Sequence, residues 1–184
     1  MSNLPEDYRP PDVTSLPRGP IDGSTSSYAL SHTMIRIRDP RVSLDFYTRV
    51  LGMSLVHVMQ MDRGKFTNYF LCYPQSPVPQ EPGSQALLQW LWQQQGLLEL
   101  CHNWGTELAS SDFQGYKCGN EDEHKGFGHL CVSVEDLHRS CERLDELAVK
   151  FKKRPEEGQM KNIAFIFDPD GYWIEIIEKY VRHS

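Results

Sequence analysis

Apolar positions recur along this chain in two rhythms, every second residue or every third to fourth, and the order of those rhythms predicts its elements. Residues 33–38 alternate in strand fashion. Asp39-Pro40 then opens a helix, because proline suits the first helical position and Leu44, Tyr47, Val50 and Leu51 follow at helical spacing as far as Gly52. Residues 53–61 and 65–73 read as two strands joined by Asp62-Arg63-Gly64, whose glycine suits a tight hairpin, and residues 96–101 read as a fourth strand. Residues 74–83, rich in Pro and Gln, read as a surface loop, while residues 86–95 suit a helix or a further strand.

The same order then returns. Residues 128–134 form a strand, 135–147 a helix with Leu137, Cys141, Leu144 and Leu147 on one face, and 149–153 a short strand. Residues 163–167 and 172–177 make a hairpin around Asp168-Pro169-Asp170-Gly171. A shift of 97 carries His32 onto His129, Ile35 onto Val132, Asp39 onto Asp136 and Val50 onto Leu147, and a shift of 76 carries Leu98-Glu99-Leu100 onto Ile174-Glu175-Ile176. The expected fold is therefore α+β, two βαβββ modules that cannot each bury a sheet alone. The expected division is an N-terminal arm over residues 1–27, a first module with an inserted loop over 28–105, a linker over 106–125 and a second module over 126–184.

Composition narrows the partners rather than the fold. The net charge of −6 and the lack of a basic stripe argue against nucleic acid. No apolar run approaches the roughly 20 residues of a membrane-spanning helix, and the start of the chain lacks the apolar stretch of a signal peptide. Five cysteines without a C-x-x-C pair suggest neither a disulfide framework nor a thiolate zinc finger, so the expectation is a cytoplasmic protein with reduced thiols.

Glu99 and Glu175 each interrupt an apolar strand, where an ionised carboxylate without a partner is costly to bury. His32 and His129 stand at the equivalent early point of the first strand in each half. Taken singly, such a histidine is ordinarily a satisfied polar residue and such a glutamate the partner of a cation. Recurrence of the same pair in both halves favours metal ligation, since two imidazoles and two carboxylates brought together by a two-fold arrangement suit a divalent ion. His57, His102, His124, His138 and His183 lack such partnership and read as surface or local structural residues.

Four segments carry a resemblance: TMIRIRDPRVSLDFYTRVLGM from Thr33, LELCHNWGT from Leu98, GFGH from Gly126 and AFIFDPDGYWIEI from Ala164. They resemble the glyoxalase I, or lactoylglutathione lyase, family of the vicinal oxygen chelate superfamily, over about residues 30–177. The resemblance implies paired βαβββ modules, metal ligands at His32, Glu99, His129 and Glu175, and glutathione contacts at Arg36, Asn103 and Lys153, with Met160 in a covering loop. A further family arginine before the GFGH segment is Lys125 here, which keeps the charge and loses bidentate carboxylate geometry. In the similar animal and many plant enzymes the first ligand is Gln, whereas microbial relatives have His. The arm and long first-half loop resemble the zinc-using type, so Zn2+ is the expected metal, with Ni2+ or Co2+ as alternatives.

The implied activity is detoxification of methylglyoxal: its hemithioacetal with glutathione is isomerised to S-lactoylglutathione, with Glu175 as principal base and Glu99 serving the opposite face. The resemblance and the two like sheets together imply a homodimer with shared active sites. Two other readings of the same residues are an Fe(II) extradiol-type dioxygenase, disfavoured by the fourth ligand, and a metal-free ligand-binding protein, disfavoured by four intact metal-type residues.

Overall fold

The computed structural model describes residues 8–9 and 22–180; most of the expected arm over residues 1–27, and His183, lie outside the described residues. Residues 1–30 and 31–184 are separate units, and the site-bearing elements all belong to the second. Its first strand, β1 (His32–Ile37), leads to Asp39, whose carboxylate accepts from the Arg41 backbone N–H and so caps α1 (Pro40–Asp45). A single helix was expected to run on to Gly52. Instead α1 passes into a π-helical turn over Phe46–Val50, with the Leu51 N–H reaching back five residues to the Phe46 carbonyl. The widened turn buries Phe46, Tyr47 and Val50 together, and Gly52, at φ +76°, ends it.

The first module continues with β2 (Ser54–Met61), β3 (Phe66–Cys72), α2 (Gln85–Gln93) and β4 (Leu97–Asn103), so the segment that suited either helix or strand is a helix, capped by Ser84. The second contains β5 (His129–Val134), α3 (Leu137–Glu146), β6 (Phe151–Lys153), β7 (Ile163–Phe167) and β8 (Trp173–Glu178). Each module forms its own four-stranded sheet, ordered β1-β4-β3-β2 and β5-β8-β7-β6. In both, the first strand pairs in parallel with the last and the remaining neighbours are antiparallel. Met34 faces Glu99 in the first sheet and Cys131 faces Glu175 in the second, so the offsets of 97 and 76 hold for strand register as well as for residue type.

Alternation along β4 and β8 separates two faces. Leu98, Leu100, Ile174 and Ile176 point into one core, shared by Ile35, Ile37, Tyr47 and Val50 of the first module and by Leu137, Cys141 and Leu144 of α3. Glu99 and Glu175 therefore lie on the opposite faces. On that side of the first sheet, Leu97, Phe70 and Cys72 pack with Leu91 of α2.

A polar clasp joins the modules. The Tyr47 hydroxyl donates to Asp168 Oδ2 at 2.8 Å, and Asp168 Oδ1 accepts from the backbone N–H groups of Asp170 and Tyr172. Asp170 in turn accepts from the Arg38 N–H at 2.9 Å and the Ser43 hydroxyl at 3.2 Å. Burial pushes the Asp168 carboxyl up to about 7 from 3.8, against the opposing effect of the Tyr47 hydroxyl. Because the folded value lies above the unfolded one, this group's stabilising contribution is complete below about pH 4 and is lost as pH rises through 7. Asp168→Asn, which stays neutral, should show a smaller fall in Tm between pH 5 and 8 than the parent. Equal slopes in thermal melts would contradict this assignment.

Candidate metal centre

The parallel pairing of β1 with β4 sets His32 opposite Leu97, two residues before Glu99, and the imidazole reaches Glu99 with Nε2 3.1 Å from Oε2. In the second sheet His129 stands opposite Trp173, two residues before Glu175, and its Nε2 lies 3.3 Å from the carboxylate. Both glutamate side chains are seated in their sheets, 11% and 19% exposed, whereas the imidazoles are 37% and 41% exposed. Each pair thus presents one nitrogen and one oxygen donor at the solvent edge of an apolar sheet, a donor set that fits a divalent N/O-ligated ion. The four residues do not converge within one chain: among the described residues no group of three His, Cys, Asp or Glu is placed to hold a metal ion.

A feature missed from sequence completes each pair. Phe70 of β3 faces Glu99 in the antiparallel register, and Phe165 of β7 faces Glu175. Phe70 meets the His32 ring edge-on at 6.2 Å between centroids, and Phe165 meets His129 at 5.3 Å. An offset of 95 relates the two phenylalanines, differing from the offsets of the His and Glu positions because the loops between strands differ in length. Cys131, beside Glu175 in the register, has its thiol pushed up to about 11, first by desolvation and then by the Glu175 carboxylate.

Of the positions expected to meet substrate, Arg36 is exposed on β1 and lines a cavity of about 210 Å³ with Met34, Tyr116, Lys117, Phe127 and Tyr172. Asn103 at the end of β4 donates to the Tyr116 hydroxyl at 3.2 Å, so these two first-module positions are linked through Tyr116. Lys125 is exposed and paired with Asp122 at 2.9 Å, and Met160 is 63% exposed in the loop after β6. The Lys153 ammonium donates to the carbonyls of Ile163 at 2.9 Å and Arg154 at 3.0 Å, leaving one N–H for a ligand. His102, read as a local residue, is buried with Nε2 2.7 Å from Glu107, which also accepts from the Gly105 N–H.

Residues 29–176 match the family model of the Glyoxalase/Bleomycin resistance protein/Dioxygenase superfamily. The chain is 46% identical to the lactoylglutathione lyase of Pseudomonas aeruginosa over 158 residues, covering 85% of this chain and 86% of that one. The chain belongs to the lactoylglutathione lyase, or glyoxalase I, family. Glyoxalase I of Saccharomyces cerevisiae is 44% identical over 148 residues, 80% of this chain but 44% of its own length, so the chain spans less than half of that relative. Among solved structures, the trypanothione-dependent glyoxalase I of Leishmania major superposes with a TM-score of 0.61 at 29% identity, covering 83% of this chain and 88% of that one. Glyoxalase I of Zea mays gives 0.59 at 26% identity, covering 81% and 44%. The expected paired βαβββ architecture is thereby the architecture of the family.

Proposed function

We propose that the chain carries out its family's reaction, isomerising the hemithioacetal of methylglyoxal and glutathione to S-lactoylglutathione, at a metal centre that two copies of the chain complete. The observation that carries this reading is the pair of His–Glu half-sites in the same strand register, each with two donors, which one chain keeps apart. The strands that bear His32 and His129 are edge strands of their sheets, so each half-site lies where another sheet can close over it. In this reading His32 and Glu99 of one copy hold the ion with His129 and Glu175 of a second, as a homodimer.

A bound divalent ion, zinc in preference to nickel or cobalt, supplies Lewis acidity that makes the substrate C–H more acidic and accommodates negative charge on the neighbouring oxygens. The Glu175 carboxylate takes the proton from the carbon that bears sulfur and returns it to the adjacent carbon, so that no electrons are gained or lost overall. Glu99 serves the opposite face. The Glu99 side chain is 11% exposed and the Glu175 side chain 19%, and each faces a phenylalanine on the neighbouring strand. Arg36, Asn103, Lys125 and Lys153 meet the polar groups of the thiol portion, and Met160 covers it.

The family name specifies glutathione, while the Leishmania major relative is trypanothione-dependent, so the thiol is a part of the substrate in which relatives differ. A cytoplasmic setting belongs to the same proposal: all five cysteines are free, and no helix among the described residues is long and apolar enough to cross a membrane.

The reading is tested by metal analysis of the purified protein, followed by an absorbance assay with methylglyoxal and glutathione. Thioester formation is expected, and its absence from metal-replete protein would overturn the activity. Arg36→Ala should raise the KM for the glutathione adduct more than it lowers kcat, since binding rather than chemistry is removed. An unchanged KM would dismiss that contact.

A further inference from the structure

The His–Glu half-sites share a third component that lies outside the ligand set. We infer that Phe70 and Phe165 are positioning residues that hold the imidazoles of His32 and His129 in the orientation needed to bind the metal, each backed by a tryptophan. This inference rests on the proposed metal-binding role of the two histidines.

The geometry recurs in both halves. Each phenylalanine is directly opposite the half-site glutamate on the neighbouring strand and so shares its face of the sheet. Each meets its histidine nearly perpendicularly, with interplanar angles of 89° for His32 and Phe70 and 82° for His129 and Phe165. On another side each phenylalanine is met by a tryptophan, Trp92 at 5.7 Å from Phe70 and Trp173 at 5.9 Å from Phe165.

The two tryptophans do not correspond in the repeat. Trp173 stands in β8, where the 76-residue offset puts Leu97 in the first module, and Trp92 comes from α2. The first half therefore restores with a helix the ring that its fourth strand lacks. Simple inheritance of one packing arrangement would have kept the tryptophan on the equivalent strand, whereas the repeated feature is a ring behind the phenylalanine whatever element provides it. Each histidine is the first residue of an edge strand, with its ring more than a third exposed. His32 also meets Trp92 directly at 6.5 Å between centroids, so in the first half the tryptophan touches both the phenylalanine and the imidazole. An edge-on phenylalanine and the facing carboxylate together select the ring orientation that presents Nε2 to the glutamate.

The test is Zn(II) affinity of the full chain by competition with a chromophoric chelator, read alongside Tm for every variant. Phe165→Leu and Phe70→Leu should each weaken zinc binding on the order of 10-fold, the range seen when groups that orient metal ligands are removed. Phe165→Tyr and Phe70→Tyr, which keep the ring, should bind zinc like the parent. Leu144→Ala, buried in α3 in the shared core, should lower Tm while leaving zinc affinity unchanged.

His129→Ala serves as the reference. If it loses zinc while both Phe→Leu variants bind normally, the positioning role is overturned and the metal reading stands. If Leu144→Ala loses as much affinity as the Phe→Leu variants at equal loss of Tm, general destabilisation accounts for the effect and the inference also fails. If His129→Ala itself binds zinc like the parent, the underlying metal reading fails.

Discussion

Glu175→Gln should lower kcat at least about 100-fold with little change in overall stability, because it removes a base while conserving side-chain shape. The structure sharpens that expectation. Glu175 sits in the middle of β8 between Ile174 and Ile176, which are fully buried in the shared core, so the backbone at this position is held by the sheet and not by the carboxylate. The amide can still accept a hydrogen bond from the His129 imidazole, which lies 3.3 Å from the carboxylate. Steady-state kinetics on a variant whose Tm matches the parent provides the measurement. A near-parental kcat would move the principal base elsewhere, with Glu99 as the next carboxylate to examine.

Chelation of the metal should abolish turnover, and Zn(II), Co(II) or Ni(II) should restore it. The loss is expected to be complete because the ion is assigned the stabilisation of charge that the chain's own side chains are not placed to supply. Any ligand that binds only the folded protein also stabilises it, so chelation should lower Tm as well, by an amount that depends on free metal concentration. Full activity in demonstrably metal-free protein would contradict the mechanism, and the relative rates with the three ions would decide which metal suits the site.

Much of the fold was legible because strand alternation and turn chemistry agree along the chain. The repeat offsets anticipated the register that sets Met34 opposite Glu99 and Cys131 opposite Glu175. Each His–Glu pair was legible for the same reason: a charged residue inside an apolar strand demands a partner, and duplication points to the same partner twice.

The segment over residues 86–95 was ambiguous because its apolar and glutamine positions suit more than one period. Its helical form comes with the packing of Leu87 and Leu91, both buried, in the cover over the first sheet. The π-helical turn could not be read because its wider spacing serves the burial of Phe46, Tyr47 and Val50 in a core that forms only when both modules dock. Phe70 and Phe165 escaped notice since a phenylalanine in a strand is ordinary, and only cross-strand register ties each to a His–Glu pair. The clasp at Asp168 looked like turn chemistry alone. Its second role depends on Tyr47, 121 residues away in sequence.

The central claim, that one working site takes His32 and Glu99 from one copy and His129 and Glu175 from another, is tested most directly by mixing Glu99→Ala chains with His129→Ala chains. Each variant alone should be inactive, since every site in it lacks a ligand. A heterodimer of the two contains one intact site and one doubly damaged site, so statistical exchange should return roughly a quarter of the parental activity. Recovery of that order after subunit exchange is the result predicted. No recovery, with exchange demonstrated independently, would mean that each chain builds its site alone and would contradict the shared centre.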